Sequence, residues 1–208
     1  MADMLANIGY LILFVNLILY SIRFSDYGKA FKIFTIYCAV IFIIQILVNF
    51  LNAYDIHNLF LSHYYFIFQF IALSGFYYEI LKEKIQKKLV RLGLVSVLFV
   101  LGIQYVNEPE LYFNFNLFEI FITSFMLIIY AVLHFYNLLC NKKDFYYLNM
   151  GILIYLFGST VLFLAGNLIA QLSSELNTIT WTLNNFLYII YQVFILIEWN
   201  KSFIRKDR

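Results

Sequence analysis

Residues 57–91 read HNLFLSHYYFIFQFIALSGFYYEILKEKIQKKLVR, and their reading decides the fold. From Asn58 to Leu81 the stretch is almost wholly apolar and aromatic. It then breaks into Lys82, Glu83, Lys84, Lys87, Lys88 and Arg91. An apolar run of this length is what a helix needs to cross a hydrocarbon core of ~30 Å at ~1.5 Å per residue. The basic cluster that ends it marks a cytoplasmic side, where Lys and Arg accumulate. The same run holds His63, Gln69 and Glu79, polar groups that cost free energy at such depths unless they find partners.

The rest of the chain repeats the pattern. Of 208 residues, 63% are hydrophobic and 12% charged; there is one Pro, and the mean hydropathy is +0.82. A soluble domain is nearer half apolar and a quarter charged. The composition therefore implies a lipid bilayer as solvent and a single integral-membrane domain over 1–208. Apolar segments fall at about 4–22, 31–52, 58–81, 89–106, 113–139, 149–171 and 179–200. Helix is the open structure that satisfies its own backbone in lipid, and barrel strands would be shorter and alternating. The expected fold is an all-α membrane protein of seven transmembrane helices. The fourth is the weakest, carrying Gly93, Gly102 and Gln104. MADMLANIGY lacks a basic n-region and a small-residue cleavage site, so it reads as an uncleaved first span. Cys38 and Cys140 both fall near cytoplasmic ends, where a disulfide is not expected.

Charge placement supports the helix count. Arg23, Lys29 and Lys32 join helices one and two, and the five basic residues quoted above follow helix three. Lys142 and Lys143 follow helix five; Lys201, Arg205, Lys206 and Arg208 follow helix seven. These groups account for all 14 Lys and Arg. The other side carries Asp3, Asp55, Glu108, Glu110 and Glu175, with no basic residue. The positive-inside rule then gives an N-terminus outside and a C-terminus in the cytoplasm. A composition heavy in Phe, Tyr, Ile, Asn and Lys, whose codons are A/T-rich, points to a bacterial source and so to the inner membrane as the expected location. Trp181 and Trp199, ~27 Å apart along a helix axis, match interfacial aromatic belts.

Helical spacing of ~100° per residue sorts the intramembrane polar groups by face. On helix five, Asn116, Glu119, Thr123, Tyr130, His134 and Asn137 form one stripe. On helix seven, Trp181, Asn185, Tyr188, Gln192 and Trp199 share a stripe, with Asn184, Tyr191 and Glu198 beside it. Leu183, Phe186, Leu187, Ile190, Phe194 and Ile197 are left to lipid. Helix two aligns Cys38, Gln45, Asn49 and Asn52; helix six aligns Asn149, Thr160, Asn167 and Gln171. Gly151, Gly158 and Ala165, at heptad spacing on the back of helix six, permit close packing on a neighbour. Glu79 and Glu198 each precede a Lys by three residues and suit an interfacial salt pair. Most such groups serve as hydrogen-bonding glue between helices. Glu119 and the two embedded histidines, His63 and His134, stand apart: an ionisable group inside the apolar zone is a functional hypothesis, set against a neutral hydrogen-bonded Glu and structural histidines. His63, Glu119, Asn167, Asn184, Asn185 and Gln192 are the candidate substrate-binding residues, lining a polar cavity that opens outward.

Several activities are excluded or unsupported. Helix seven has no Lys for a retinal Schiff base, and HExxH, CxxC, P-loop and GxGxxG motifs are absent. His57, His63 and Glu119 have no metal-site spacing, so neither a metal nor another cofactor is expected. The short basic loops suit anionic lipid headgroups, not nucleic acid.

Asn58-Leu59 to Tyr77, with His63-Tyr64, Gln69-Phe70 and Leu73-Ser74, resembles uncharacterised small multi-pass bacterial membrane proteins. That resemblance implies no particular activity. A shift of 119 residues lays helices one to three on five to seven, placing Glu79 and Lys82 on Glu198 and Lys201. This parallel 3+1+3 plan is similar to seven-helix semi-sugar and vitamin-precursor carriers, although the single Pro, Pro109, lies in an outer loop. The first expectation is accordingly a carrier or facilitator for a small polar solute. The alternative is a sensor or accessory subunit that docks a cytoplasmic signalling or defence effector. An intramembrane enzyme ranks last, because no nucleophile–base set emerges. Oligomerisation is left open.

The inferred topology is checked by cysteine labelling of intact cells. Asp55→Cys and Glu175→Cys should react with an impermeant maleimide, and Lys87→Cys should not. Labelling at position 87 from outside would overturn the assignment.

Overall fold

The computed structural model describes residues 2–22, 24–140, 144–170 and 174–204. Arg23, Lys142, Lys143, Gln171, Arg205, Lys206 and Arg208 lie outside the described residues, as do the side chains of Asp3, Asn167 and Glu175. The described residues form seven helices and no strand: α1 Ala2–Ile22, α2 Lys29–Ala53, α3 Phe60–Ile80, α4 Lys84–Asn107, α5 Leu117–Cys140, α6 Tyr146–Ala170 and α7 Ser174–Glu198. A short 3-10 turn, Pro109–Phe113, precedes α5, and a π turn, Trp199–Ile204, extends α7. The helix α4 starts inside the basic cluster, five residues before the apolar segment. Lys, Gln and Ile all accept helix, and an apolar window is blind to a polar helix end.

Six helices are long and apolar enough to cross a membrane: all but α3. At 21 residues α3 has the length. Its four tyrosines, with His63, Gln69 and Glu79, dilute the hydropathy that Phe, Leu and Ile supply. The organising stretch of the sequence is thus the one helix without a sufficiently apolar window among the described residues, and 11 of its residues are buried.

The chain divides into two compact units. One is Phe24–Tyr130, comprising α2, α3, α4 and the first part of α5. The helices α2 and α3 meet along large aromatic side chains, with the Phe34 and Phe76 rings 5.8 Å apart. Gln69 lies in that seam and donates from Nε2 to the Tyr37 hydroxyl at 3.0 Å. Tyr130 of α5 packs edge-on against Tyr77 of α3 and donates to the Val90 carbonyl of α4 at 3.4 Å. These polar groups are matched inside the unit, as an apolar solvent favours, while the buried Ser74 Oγ makes no hydrogen bond among the described residues.

The other unit combines Met1–Arg23 with Ala131–Arg208. Here α1 runs parallel to α7. Asn16 donates from Nδ2 to both the main-chain oxygen and Oε1 of Gln192, at 2.9 and 3.0 Å. One turn further along, the Tyr20 hydroxyl donates to the Ile195 carbonyl, and its ring packs 5.2 Å from Trp199. Trp199 is therefore buried against α1 and not free as an interfacial anchor. Close approach of α6 to α7 follows from the small residues on α6. A Cβ at Gly151 would meet Phe194 Cβ at 2.7 Å, and one at Gly158 would meet Leu187 Cδ1 at 2.6 Å. Leu187 and Phe194, expected to face lipid, instead fill these notches.

Glu198 also departs from expectation. Its carboxylate is fully buried and accepts the backbone N–H groups of Tyr147 and Leu148, at 2.8 and 3.2 Å. These are orphan donors in the first turn of α6, where a negative charge also meets the favourable end of the helix dipole. Two aligned amides satisfy a buried carboxylate better than one flexible Lys at an interface.

Gly151→Leu should lower the thermal stability of the purified protein by about 1–3 kcal/mol through overpacking. Gly102, which has nothing within 4 Å of an added Cβ, should accept Ala at no cost. Equal loss at the two positions would contradict the α6–α7 contact.

Candidate functional site

The site is built where α3, α4 and the start of α5 meet. Asn116 immediately precedes α5 and its Oδ1 accepts the Glu119 N–H at 3.2 Å, an N-cap three residues ahead of the capped amide. That cap sets the first turn of α5, so the Glu119 side chain enters the unit and not solvent. The Asn116 amide donates in turn to Gln104 Oε1 at 3.1 Å and to the Tyr105 hydroxyl at 3.3 Å, tying α5 to the end of α4.

Glu119 is 0% exposed and His63 4%. Tyr105 donates its hydroxyl proton to Glu119 Oε2. His63 Nδ1 lies 2.8 Å from the Tyr105 oxygen and 3.2 Å from Glu119 Oε2. Because the Tyr105 proton is committed to the carboxylate, its oxygen accepts from His63. The imidazole proton therefore sits on Nδ1, shared between phenol and carboxylate. The remaining ring nitrogen, Nε2, is buried and makes no hydrogen bond within the described residues. The Tyr112 ring stacks on the imidazole at 5.8 Å.

A cavity of about 400 Å³ adjoins this network, lined by His63, Tyr64, Ile67, Phe68, Ile71, Tyr105 and Tyr112. Positions 64, 67, 68 and 71 form one stripe of α3. The wall is nearly all apolar, because the polar atoms around it are engaged with one another. Tyr64 and Tyr112 share a hydrogen bond at 3.0 Å on the exposed rim. That bond, the larger cause, and slight desolvation hold the Tyr112 phenol above its ordinary pKa.

The structure brings His63 and Glu119 together, at 3.2 Å. Asn184, Asn185 and Gln192 belong to the other unit. There Gln192 is held by Asn16, Asn184 is buried, and Asn185 is half-buried. The Asn167 side chain lies outside the described residues. Of the polar groups aligned on α2, Cys38 is buried, Gln45 half-buried, and Asn49 and Asn52 are exposed. Asn116 ahead of α5, and Glu119, Thr123, Tyr130 and His134 on it, are all buried, while Phe121 and Phe125 are exposed. Tyr105, Tyr112 and Tyr64 were not singled out by sequence: 18 tyrosines make position alone uninformative. The legible signal was Asn116 three residues before Glu119 at the head of an apolar run.

No family model, curated protein or solved structure matches this chain. The chemistry of the site thus stands on its geometry. It holds one carboxylate, one imidazole and one phenol in a low-dielectric pocket, with an apolar chamber against two of the three.

Glu119→Gln keeps the size and an acceptor for Tyr105, so its thermal stability should stay near wild type. Glu119→Leu strands the Tyr105 and His63 donors and should cost ~1–3 kcal/mol for each partner left unsatisfied. Equal melting temperatures for the two variants would remove the network from the structure's support.

Proposed function

We propose that this chain is a seven-span inner-membrane protein, N-terminus outside and C-terminus cytoplasmic, that carries or facilitates passage of a small polar or charged solute. The observation that supports the reading most is the His63–Tyr105–Glu119 network beside a 400 Å³ cavity. Ionisable groups are kept at membrane depth chiefly where they bind, relay or gate. A purely structural contact between α3, α4 and α5 would not call for a chamber of ligand size beside it. In this reading α3 is the seventh span, its polar residues tolerated because they face protein. His63 and Glu119 bind the solute or a proton. Asn184, Asn185 and Asn167 orient solute in the other unit, and Gln192 acts there through its bond with Asn16.

The parallel repeat enters the proposal in exchanged form. The helix α1 packs on α7, and the first part of α5 packs on α3. The helix α1, and the first part of α5, thus each lie in the unit that holds the other triplet's second and third helices.

A second reading is carried by the joint between α3 and α4. Lys82 is exposed on a connection of only three residues, Leu81 to Glu83, and Lys84 and Lys88 are exposed on the first turns of α4 beside it. A rigid, charged corner of this kind suits docking of a cytoplasmic effector or anionic headgroups. A bilayer is common to both readings.

The carrier reading is tested by a screen of small polar and charged solutes in proteoliposomes. Uptake by the wild type should fall about ten-fold or more in Glu119→Gln, the scale of one lost charge contact at ~1.4 kcal/mol. Uptake of no solute above empty vesicles, or equal uptake by the variant, would refute it.

A further inference from the structure

We propose that the cavity beside His63 binds a hydrophobic organic monocation of the quaternary ammonium or phosphonium class. The inference deepens the solute-binding reading and rests on it. Five of the seven lining residues present aromatic rings: His63, Tyr64, Phe68, Tyr105 and Tyr112. The faces of such rings carry negative quadrupole density and attract cations within about 6 Å, most strongly when water is excluded. A quaternary cation asks for no hydrogen bonds, and this wall offers few. The Tyr64 and Tyr112 phenols bond to each other, while Tyr105 and the Nδ1 of His63 turn toward Glu119.

Behind the rings stands the charge. Glu119 is fully buried, and its partners are a phenol and an imidazole. Whenever the imidazole is neutral, the site carries one net negative charge, and no Lys or Arg among the described residues is paired with it. The basic residue that ends α3, Lys82, lies ~28 Å along the helix from His63. The residues flanking this end of the unit, Asp55, Glu108 and Glu110, are acidic. A monocation in the chamber would balance Glu119 across the ring layer in a medium of low dielectric, where such attraction is strongest. An anion would meet the same field as repulsion. A bare metal ion finds no set of oxygen ligands turned into the chamber, and hard cations require them. The volume falls in the range of small-molecule sites, well above a simple ammonium ion.

The test uses the purified full chain in an uncharged detergent, with binding followed by calorimetry. The probes are tetraphenylphosphonium, its anionic counterpart of the same shape, tetraphenylborate, and neutral triphenylphosphine oxide. The phosphonium should bind one per chain and at least about ten-fold more tightly than either comparison, a margin of ~1.4 kcal/mol. Glu119→Gln should weaken it by a similar factor. Ile71→Trp, which fills the chamber without touching the carboxylate, should abolish binding. Equal affinity for borate or oxide would show an unselective apolar pocket and overturn the proposal. So would unchanged binding in either variant, or no phosphonium binding at all. The two readings fail separately. Phosphonium binding without uptake of any solute removes the carrier and supports the site. Uptake that depends on Glu119 without phosphonium binding overturns the cation and leaves the carrier.

Discussion

A buried carboxylate in an apolar surround must be answered by donors fixed in advance, and Glu119 is the point where this chain meets that demand. Leaving such a group unpaired costs several kcal/mol, more than a single helix contact returns. The answer draws on three elements at once. The end of α4 supplies Tyr105, α3 supplies His63, and the cap at Asn116 fixes the turn from which Glu119 projects. The requirement orders α4 and α5 relative to α3 more sharply than packing of Leu and Ile could, because apolar contacts slide at little cost while hydrogen bonds do not.

The same rule holds away from the site. Gln69 answers Tyr37, Asn16 answers Gln192, Asn149 answers the Ala131 carbonyl at 3.0 Å, and Glu198 answers the first amides of α6. Where polar groups are few, contact relies on shape: the notches at Gly151 and Gly158 receive Phe194 and Leu187. Polar matching and glycine notches are two solutions to one problem, since lipid tails offer helices no hydrophobic reason to associate.

Much of this was legible beforehand. Apolar runs and basic clusters gave seven helices, and 100° spacing gave the buried face of α5. The meeting of His63 with Glu119 was legible only as two costly residues at matching depth. Tyr105 and Tyr112 were not, because a residue so common here has no positional contrast. The role of Glu198 was hidden for a different reason. A nearby Lys offers an obvious partner in sequence, whereas the amides that hold it lie 50 and 51 residues away. Leu187 and Phe194 look lipid-facing by periodicity, and only the bare glycines opposite them reveal otherwise. The polar residues that α3 carries within its apolar run also keep it outside the six helices apolar enough to span by composition.

The pairing of α1 with α7 bears on how the chain is made. Asn16 and Gln192 are separated by 176 positions, so the partner of α1 emerges from the ribosome only after the five helices between them. The unit from Phe24 to Tyr130 is continuous in sequence and can close while synthesis continues. The helix α1 cannot. It must wait in the bilayer with its amide unanswered, or borrow a temporary partner, until α7 is inserted. Assembly is therefore asymmetric in time. A chain cut short after α6 leaves a finished half beside an orphaned first helix, which is the kind of exposed polar span that membrane quality control recognises.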